Sequence, residues 1–214
     1  MSATSTGLRL NTLLEEAGLE PLDRETASRF EVYLSLFIRW NACINLSSIR
    51  DEEGILALHF IESIAVARAL PGGVATLLDF GSGAGLPGIP IAICRPEIAV
   101  TLAESQGKKS AFLQEAIREL GIPAKVHAGR AETLRTEFDC VVLRAVDKMP
   151  KAVATAGKLV APGGWLALMT TGAELDKLKA AAGQEFSWPQ LIPLPQSNDR
   201  LLALATRGKG ITSK

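Results

Sequence analysis

The segment Asp79-Phe80-Gly81-Ser82-Gly83-Ala84-Gly85-Leu86-Pro87-Gly88 decides the fold class of this chain. An apolar run at 76–80 leads into it, and an apolar helical pattern near 87–94 follows it. Glycines are needed where a chain turns sharply and a ligand approaches the backbone closely. Open α/β sheets bind nucleotides at such a turn, beyond the carboxyl end of a strand. The segment therefore predicts a nucleoside-binding loop between a strand and a helix.

The spacing of the glycines narrows the class of ligand. The dinucleotide pattern G-x-G-x-x-G would need a third glycine at position 86, where the chain has Leu86, and a P-loop would end in Gly-Lys followed by Ser or Thr. A second acid, Glu104, lies 23 residues after Gly81, where it can accept the ribose hydroxyls of a nucleoside. The loop therefore favours a nucleoside ligand without a pyrophosphate. Its Asp-x-Gly-x-Gly-x-Gly spacing, starting at Asp79, resembles the S-adenosylmethionine motif of class I methyltransferases.

Short apolar runs alternate with helical patterns through the second part of the chain. Predicted strands lie at 76–80, 100–103, 124–127, 139–143 and 165–170, with helices near 87–94, 108–120, 150–160 and 173–182. Two further runs, 190–194 and 201–206, have no helix between them and predict an antiparallel hairpin. The pattern predicts an α/β, Rossmann-like class I methyltransferase fold, with a seven-stranded, mainly parallel sheet and an antiparallel terminal hairpin.

The first part of the chain predicts helices only. Residues 1–70 form an N-terminal helical extension in this interpretation, and 71–214 form the methyltransferase core, within one compact unit. Asp23 and Asp51 are predicted N-caps, and Gly18 is a predicted helix end. In the second helix Phe30, Leu34, Phe37 and Ile38 share one face, and the stripe of Phe30, Leu34 and Phe37 is expected in the core.

Composition excludes several classes of protein. Among 214 residues, 23 basic side chains balance 23 acidic ones, which argues against a protein that coats nucleic acid. The cysteines, Cys43, Cys94 and Cys140, are far apart and form no Cys-x-x-Cys pair, so they are interpreted as packing residues and no metal site is expected. No apolar run approaches 18 residues, and the polar start of the chain lacks a signal-peptide core. A cytoplasmic protein without membrane association is expected.

Motifs outside the glycine loop sharpen the resemblance. They are Trp40-Asn41-x-x-Ile44-Asn45-Leu46, Leu58-His59-x-x-Glu62-Ser63, Arg95-Pro96, Glu104-Ser105-x-Gly107-Lys108-Lys109, Gly129-Arg130-Ala131-Glu132 and Leu143-Arg144-Ala145. With the extended loop 79–90, they resemble the bacterial ribosomal RNA small subunit methyltransferase G family, also called glucose-inhibited division protein B. The matches extend from about residue 30 to 170, and the Leu-Pro-Gly-Ile-Pro sequence at 86–90 is specific to that family.

The resemblance implies an activity and a set of site residues. It implies transfer of a methyl group from S-adenosylmethionine, with S-adenosylhomocysteine as product, to N7 of one guanine in 16S ribosomal RNA. The substrate would be that RNA or the small ribosomal subunit, and a monomer is expected. The residues expected at the cofactor, from the loop and the resemblance together, are Asp79, Gly81, Gly83, Gly85, Leu86, Glu104, Ala131, Glu132 and Arg144.

The chemistry of the target limits the catalytic residues. Guanine N7 carries a lone pair and no proton, so no general base is predicted and catalysis should rest on alignment. Arg144 is the candidate for positioning the substrate, through its fork to the base or to a phosphate. Because net charge is zero, RNA contacts must come from local basic residues, and those predicted are Arg95, Lys108, Lys109, Arg130 and Arg200.

Departures from the family pattern bear on the target rather than on the cofactor. Glu62 replaces an Asp, Leu58 an Arg, Thr171 part of a Lys-Gly pair and Leu201 a His, and Asp147 stands where a small residue is usual. The alternatives left open are a class I methyltransferase acting on another RNA or a small molecule, a nicotinamide-dependent oxidoreductase and a non-catalytic nucleoside-binding protein.

Overall fold

The computed structural model describes residues 6–209, which form eight α-helices and seven strands. The helices are α1 Thr6–Glu16, α2 Arg24–Asn41, α3 Glu52–Ile55, α4 Ile61–Ala69, α5 Gly88–Cys94, α6 Gly107–Leu120, α7 Met149–Gly157 and α8 Gly172–Ala182. The strands are β1 Thr76–Phe80, β2 Ala99–Glu104, β3 Ala124–Ala128, β4 Phe138–Arg144, β5 Val160–Thr171, β6 Phe186–Pro193 and β7 Arg200–Arg207. A π-helical turn, Leu56–Phe60, joins α3 to α4, and a 3₁₀ turn, Ala131–Thr133, follows β3.

The seven strands form one sheet in the order β3-β2-β1-β4-β5-β7-β6. The first five strands in this order are parallel, and β7 is antiparallel to both β5 and β6. The predicted sheet with its terminal hairpin is therefore confirmed. The carboxyl ends of β1 to β5 share one edge with the start of β7, because β7 runs in the opposite direction. We call this the carboxyl edge.

Strand β5 begins earlier than predicted, at Val160 rather than at 165. Val160 pairs with Phe138, and the register shifts before Cys140 pairs with Trp165. The extra residues include Gly163, whose φ of +80° is a conformation that glycine adopts without strain. A Pro-Gly-Gly sequence indicates a turn, whereas here it forms an irregularity inside a continuing strand.

The N-terminal helices follow the predicted signals with one correction. Asp23 accepts a hydrogen bond from Thr26 N–H, and Asp51 accepts one from Gly54 N–H, so both N-caps are confirmed. Phe30, Leu34 and Phe37 are buried as expected, whereas Ile38, which was placed on the same face, is 39% exposed. At about 100° per residue, position 38 lies roughly 80° from position 30 around the helix, away from the buried side. Tyr33, on the other side of Phe30, is fully buried instead.

The helical extension and the sheet share one hydrophobic cluster. Phe37 packs against Phe112 of α6 with ring centroids 6.4 Å apart, and Tyr33 stacks on Phe60 at 5.0 Å. The Tyr33 hydroxyl donates a hydrogen bond of 2.6 Å to the carbonyl oxygen of Ala84, in the glycine loop. Helices α7 and α8 cover the opposite face of the sheet, where Val153 and Leu178 are fully buried. The extension therefore supports the loop that the sequence identified.

No helix among residues 6–209 is long and apolar enough to cross a membrane. The three cysteines are unbonded, with Cys140 buried, Cys94 half-buried and Cys43 exposed. The interpretation of Cys43 as a packing residue is therefore wrong, since its side chain faces solvent at the end of α2.

Candidate active site

Two adjoining cavities form a cleft along the carboxyl edge. The first, of about 450 Å³, lies against the glycine loop, and the second, of about 310 Å³, lies beyond the ends of β2 and β3. Both are lined by Gly81, Glu104, Ser105, Val146 and Asp147. A cleft at the carboxyl ends of strands is where open α/β sheets bind nucleoside ligands.

The glycines of the loop serve two different purposes. Gly81, Gly83 and Gly85 all have positive φ, of +76°, +55° and +83°. A Cβ on Gly83 would meet nothing closer than a backbone oxygen at 3.9 Å, so this glycine borders open space in the cleft. A Cβ on Gly85 would lie 2.5 Å from Ile89, so this glycine permits packing and does not line the cleft.

Asp79 lies beneath the loop rather than in the cleft. It is 1% exposed, and its Oδ2 accepts a hydrogen bond of 3.0 Å from the N–H of Gly88, at the start of α5. Burial raises the pKa of Asp79 to about 7 from its ordinary 3.8. Neither Asp79 nor Gly85 lines either cavity, so both predicted cofactor residues instead support the shape of the loop.

We expect Asp79→Asn to change how stability depends on pH. Between about pH 4 and 7 the folded carboxyl keeps a proton that the unfolded chain releases, so the natural protein loses stability as pH rises through this window. The amide of the variant does not titrate. The free energy of unfolding of the variant minus that of the natural protein should therefore increase from about pH 4 to about pH 7 and level off above. Urea unfolding at several pH values measures this difference.

Asp139→Asn is the matched control. Although partial burial opposes it, hydrogen bonds from the N–H groups of Thr76 and Ala75 lower the pKa of Asp139. A carboxyl with a lowered pKa is ionised in both the folded and the unfolded chain above about pH 5, so its difference should fall slightly between about pH 4 and 5 and stay flat from there to pH 7. A flat difference for Asp79→Asn as well would contradict the raised pKa of Asp79.

Glu104 fixes the centre of the cleft. Its Oε2 accepts a hydrogen bond of 2.9 Å from Gly83 N–H, and its Oε1 accepts one of 2.7 Å from Gln106 N–H. The carboxylate lines both cavities. Each oxygen keeps a second lone pair, so this carboxylate can also accept the two hydroxyls of a ribose.

The other predicted cofactor residues line the cleft at its two ends. Leu86 lies on the wall of the larger cavity. Ala131 and Glu132, in the 3₁₀ turn after β3, line the smaller one together with Arg130. Lys148 and Lys151 line the same cavity and were missed by the sequence analysis. Their place in the sequence, directly after the end of β4, could have indicated this position, because a parallel sheet places the end of that strand at the carboxyl edge.

Arg144, the last residue of β4, is held by groups from the helical extension. Its Nη2 donates to the carbonyl oxygen of Leu58 at 3.1 Å and to Nδ1 of His59 at 2.9 Å. Because Nδ1 accepts, the His59 ring is neutral and its Nε2–H donates to Ser47 Oγ at 2.8 Å. Burial and the nearby Arg144 charge lower the pKa of His59 to about 4, which agrees with a neutral ring.

A third cavity, of about 300 Å³, continues the edge beyond Arg144. Glu62 lies in its wall, fully buried, with Oε2 at 3.3 Å from Arg144 Nη2 and Oε1 at 2.8 Å from Arg200 Nη2. Burial raises the pKa of Glu62, while the two guanidinium groups oppose that effect. Arg144 and Ala145 line both this cavity and the 450 Å³ cavity, so the two spaces meet at the end of β4.

The predicted RNA-binding residues separate into two places. Lys108 is exposed at the start of α6, Lys109 lines the cleft, and Arg200 lines the third cavity, all at the carboxyl edge. Arg95 follows α5 at the opposite edge, where it pairs with Glu97 and donates to the carbonyl oxygens of Ala67 and Leu70. Arg95 therefore lies apart from the other predicted RNA-binding residues, because α5 carries the chain back across the sheet.

Solved structures share this architecture. A predicted O-methyltransferase from Agrobacterium tumefaciens has a TM-score of 0.58 and 20% identity, covering 70% of this chain and 82% of that one. An S-adenosylmethionine-dependent methyltransferase from Aquifex aeolicus has a TM-score of 0.57 and 15% identity, covering 72% and 93%. The sheet order and this likeness show the class I S-adenosylmethionine-dependent methyltransferase fold. Among the residues described, no group of His, Cys, Asp or Glu is arranged to hold a metal ion.

Sequence comparison assigns the chain within that class. The family model for rRNA small subunit methyltransferase G matches residues 26–193. A protein of that name from Xanthomonas oryzae pv. oryzae is 42% identical over 159 residues, covering 72% of this chain and 74% of that protein. One from Methylobacillus flagellatus is 40% identical over 164 residues, covering 75% and 78%. The chain belongs to the ribosomal RNA small subunit methyltransferase G family, which decides against the nicotinamide-dependent and non-catalytic alternatives.

Proposed function

We propose that this protein transfers a methyl group from S-adenosylmethionine to N7 of one guanine in 16S ribosomal RNA. It acts in the cytoplasm as a monomer, on the RNA or on the small ribosomal subunit. The observation that carries the proposal is the meeting of two cavities at Arg144 and Ala145. One cavity has the features of a nucleoside site, and the other, of about 300 Å³, is large enough for a base. The names of the relatives indicate ribosomal RNA as the substrate.

The residues of the cleft fit the cofactor. Open space at Gly83 admits a ligand against the backbone, and the Glu104 carboxylate is fixed where ribose hydroxyls can donate to it. Ala131 and Glu132 would border the adenine, and Leu86 and Arg144 would border the methionine part. When bound, S-adenosylmethionine supplies a methyl group carried on a positively charged sulfur, which passes to the nitrogen lone pair and leaves the base cationic.

The chain contributes alignment and electrostatics rather than proton transfer. N7 needs no deprotonation, so the neutral His59 has no proton to take up, and it serves to hold Arg144. Arg144 in turn is fixed between the two cavities, where it can orient the base relative to the methyl group. Holding reactants in line supplies several kcal/mol of a transfer barrier, about 7–11 in the best intramolecular cases.

Lys108 should contribute to RNA binding without contacting the cofactor. It is exposed at the rim, whereas its neighbour Lys109 lines the cleft. We expect Lys108→Glu to weaken RNA binding and to reduce the slope of log affinity against log salt by about 0.7, the value for one phosphate contact with a single strand. Arg118→Glu makes the same charge change at the other end of α6 and should leave the slope unaltered. Equal slopes for both variants would show that Lys108 contacts no phosphate.

A methyl-transfer assay tests the proposed function. The purified protein is incubated with radiolabelled S-adenosylmethionine and with 16S RNA or small subunits from cells that lack this enzyme. We expect label in the RNA and, after borohydride reduction of the methylated base, aniline-induced cleavage at one guanine. Label in a small molecule or another RNA, with none in 16S RNA, would instead support the alternative class I methyltransferase.

A further inference from the structure

The third cavity has a charged wall and apolar surroundings. Glu62, Arg144 and Arg200 form one cluster on that wall, with side chains that are 1%, 14% and 34% exposed. Met149, Met169 and Leu194 supply apolar surface. The volume, about 300 Å³, is at the lower end of the range for small-molecule sites, and thioethers pack favourably on aromatic rings. The cavity therefore suits a flat ring that presents polar groups along one edge.

Two atoms of this cluster lack hydrogen-bond partners. Oε1 of Glu62 is ion-paired to Arg200 Nη2 at 2.8 Å but makes no hydrogen bond, and Nη1 of Arg144 has no acceptor. Within residues 6–209 only one other buried side-chain atom, Ser63 Oγ, is in this state. Unmatched buried donors and acceptors are costly, and these two belong to residues that line one cavity, which points to a ligand with a complementary acceptor and donor.

We propose that this cavity takes the ring of the target guanine and that Glu62 recognises its Watson–Crick edge. The inference rests on the function proposed above. The Glu62 carboxylate accepts a hydrogen bond from N1–H, and a neighbouring guanidinium donates to O6. Because O6 lies between N1 and N7 along the edge of the base, these contacts leave N7 free to react.

This arrangement discriminates guanine from purines that carry a 6-amino group. Those bases present an acceptor at N1 and a donor at position 6, which is the reverse of guanine. Glu62 would then face a lone pair and the guanidinium would face an N–H group. An arginine acting alone commonly binds O6 and N7 of guanine together, which would cover the reacting atom. Glu62 contacts Nη2 of both Arg144 and Arg200, so neither guanidinium has both of its terminal nitrogens free to bind O6 and N7 together.

The carboxylate also favours the reaction itself. As N7 gains a methyl group the ring becomes cationic, and its N1–H becomes a stronger donor. The hydrogen bond to Glu62 therefore strengthens as the reaction proceeds, which lowers the barrier more than it tightens substrate binding. Loss of the negative charge should accordingly reduce kcat more than it raises KM.

The test uses RNA with a substituted target. Once the modified guanine is mapped, 16S RNA is assembled by ligation with guanosine, inosine or 2,6-diaminopurine riboside at that position. Inosine keeps N1–H and O6, whereas diaminopurine reverses both groups and keeps N7. We expect the natural protein to methylate guanosine and inosine comparably, and to prefer guanosine over diaminopurine about 100-fold, within the range of a good two-bond contact.

Two variants separate recognition from structural support. Glu62→Gln carries both an amide donor and an amide acceptor, so its preference for guanosine over diaminopurine should fall below about 10-fold. Glu62→Asp keeps a carboxylate and should keep the preference of the natural protein. Each ratio compares substrates on one enzyme preparation, so partial unfolding cancels. An unchanged ratio in Glu62→Gln would overturn the inference and leave Glu62 as a support for Arg144. A natural protein that methylates diaminopurine as well as guanosine would also overturn it but not the proposed function, whereas no methylation of guanosine would overturn both.

Discussion

Gly83→Val should reduce the affinity for S-adenosylhomocysteine by at least about 100-fold, which corresponds to about 2.7 kcal/mol. A side chain at this position projects into the cleft, because a Cβ there has no neighbour closer than 3.9 Å. The added methyl groups occupy the space in which a ligand approaches the backbone. They also crowd the Gly83 N–H that donates to Glu104. Isothermal titration calorimetry measures the affinity, and urea unfolding measures the stability of the same sample.

Gly121→Val separates the loss of space from backbone strain. Gly121 ends α6 with a φ of +58°, close to the +55° of Gly83, and no atom lies within 4 Å of its Cβ position. Left-handed backbone costs a non-glycine residue about 1–2 kcal/mol, so both variants should lose similar stability. Only Gly83→Val should lose the ligand. Natural affinity in Gly83→Val would show that the cleft does not hold the cofactor where we place it.

Arg144→Met should cost about 3 kcal/mol of stability and reduce methyl transfer by at least about 100-fold. The change leaves Glu62 Oε2, His59 Nδ1 and the Leu58 carbonyl without their donor. Removing one partner of a buried ion pair typically costs about 3–5 kcal/mol, and Arg200 remains to compensate part of the charge. Thermal and urea unfolding give the stability, and single-turnover transfer gives the activity.

The double variant Arg144→Met with Glu62→Gln tests whether the stability loss comes from the unpaired Glu62 carboxylate. With the Glu62 charge removed and the partly exposed Arg200 open to solvent, it should regain part of the lost stability and still fail to transfer methyl groups. Arg207→Met is the control, since Arg207 is a partly buried arginine that pairs with Glu137 at the opposite edge of the sheet. It should lose stability and keep its activity. Recovery of activity in the double variant would contradict the roles in methyl transfer given to both Arg144 and Glu62.

The sheet and the cofactor loop were predictable because their signals are local. Strand β1, the glycine spacing and α5 lie within 19 consecutive residues, from Thr76 to Cys94, and each follows from short-range conformational preference. The loop sequence did not show which glycine faces the ligand. Gly83 and Gly85 share a positive φ, and only the position of Ile89 reserves the second for packing.

The surroundings of Arg144 were not predictable, because they depend on distant contacts. Leu58, His59 and Glu62 precede it by 86, 85 and 82 residues. The sequence contained their motif, but nothing local indicates that a π-helical turn would point a carbonyl oxygen and an imidazole at the end of β4. Arg95 is an example of a residue whose charge misled the prediction. It was expected to contact RNA, whereas its guanidinium donates to carbonyl oxygens at the end of α4.

The contacts of Arg144 also determine when the active site can form during synthesis of the chain. Glu62 leaves the ribosome 82 residues before Arg144, roughly 4–16 s earlier at about 5–20 residues per second. Arg200, its second partner, follows later still, in the last strand. A nascent chain holding only the helices and the cofactor loop must keep Glu62 hydrated or protonated. The active site is therefore completed late in synthesis and in one step, when β4 and β7 join the sheet and both guanidinium groups pair with the Glu62 carboxylate.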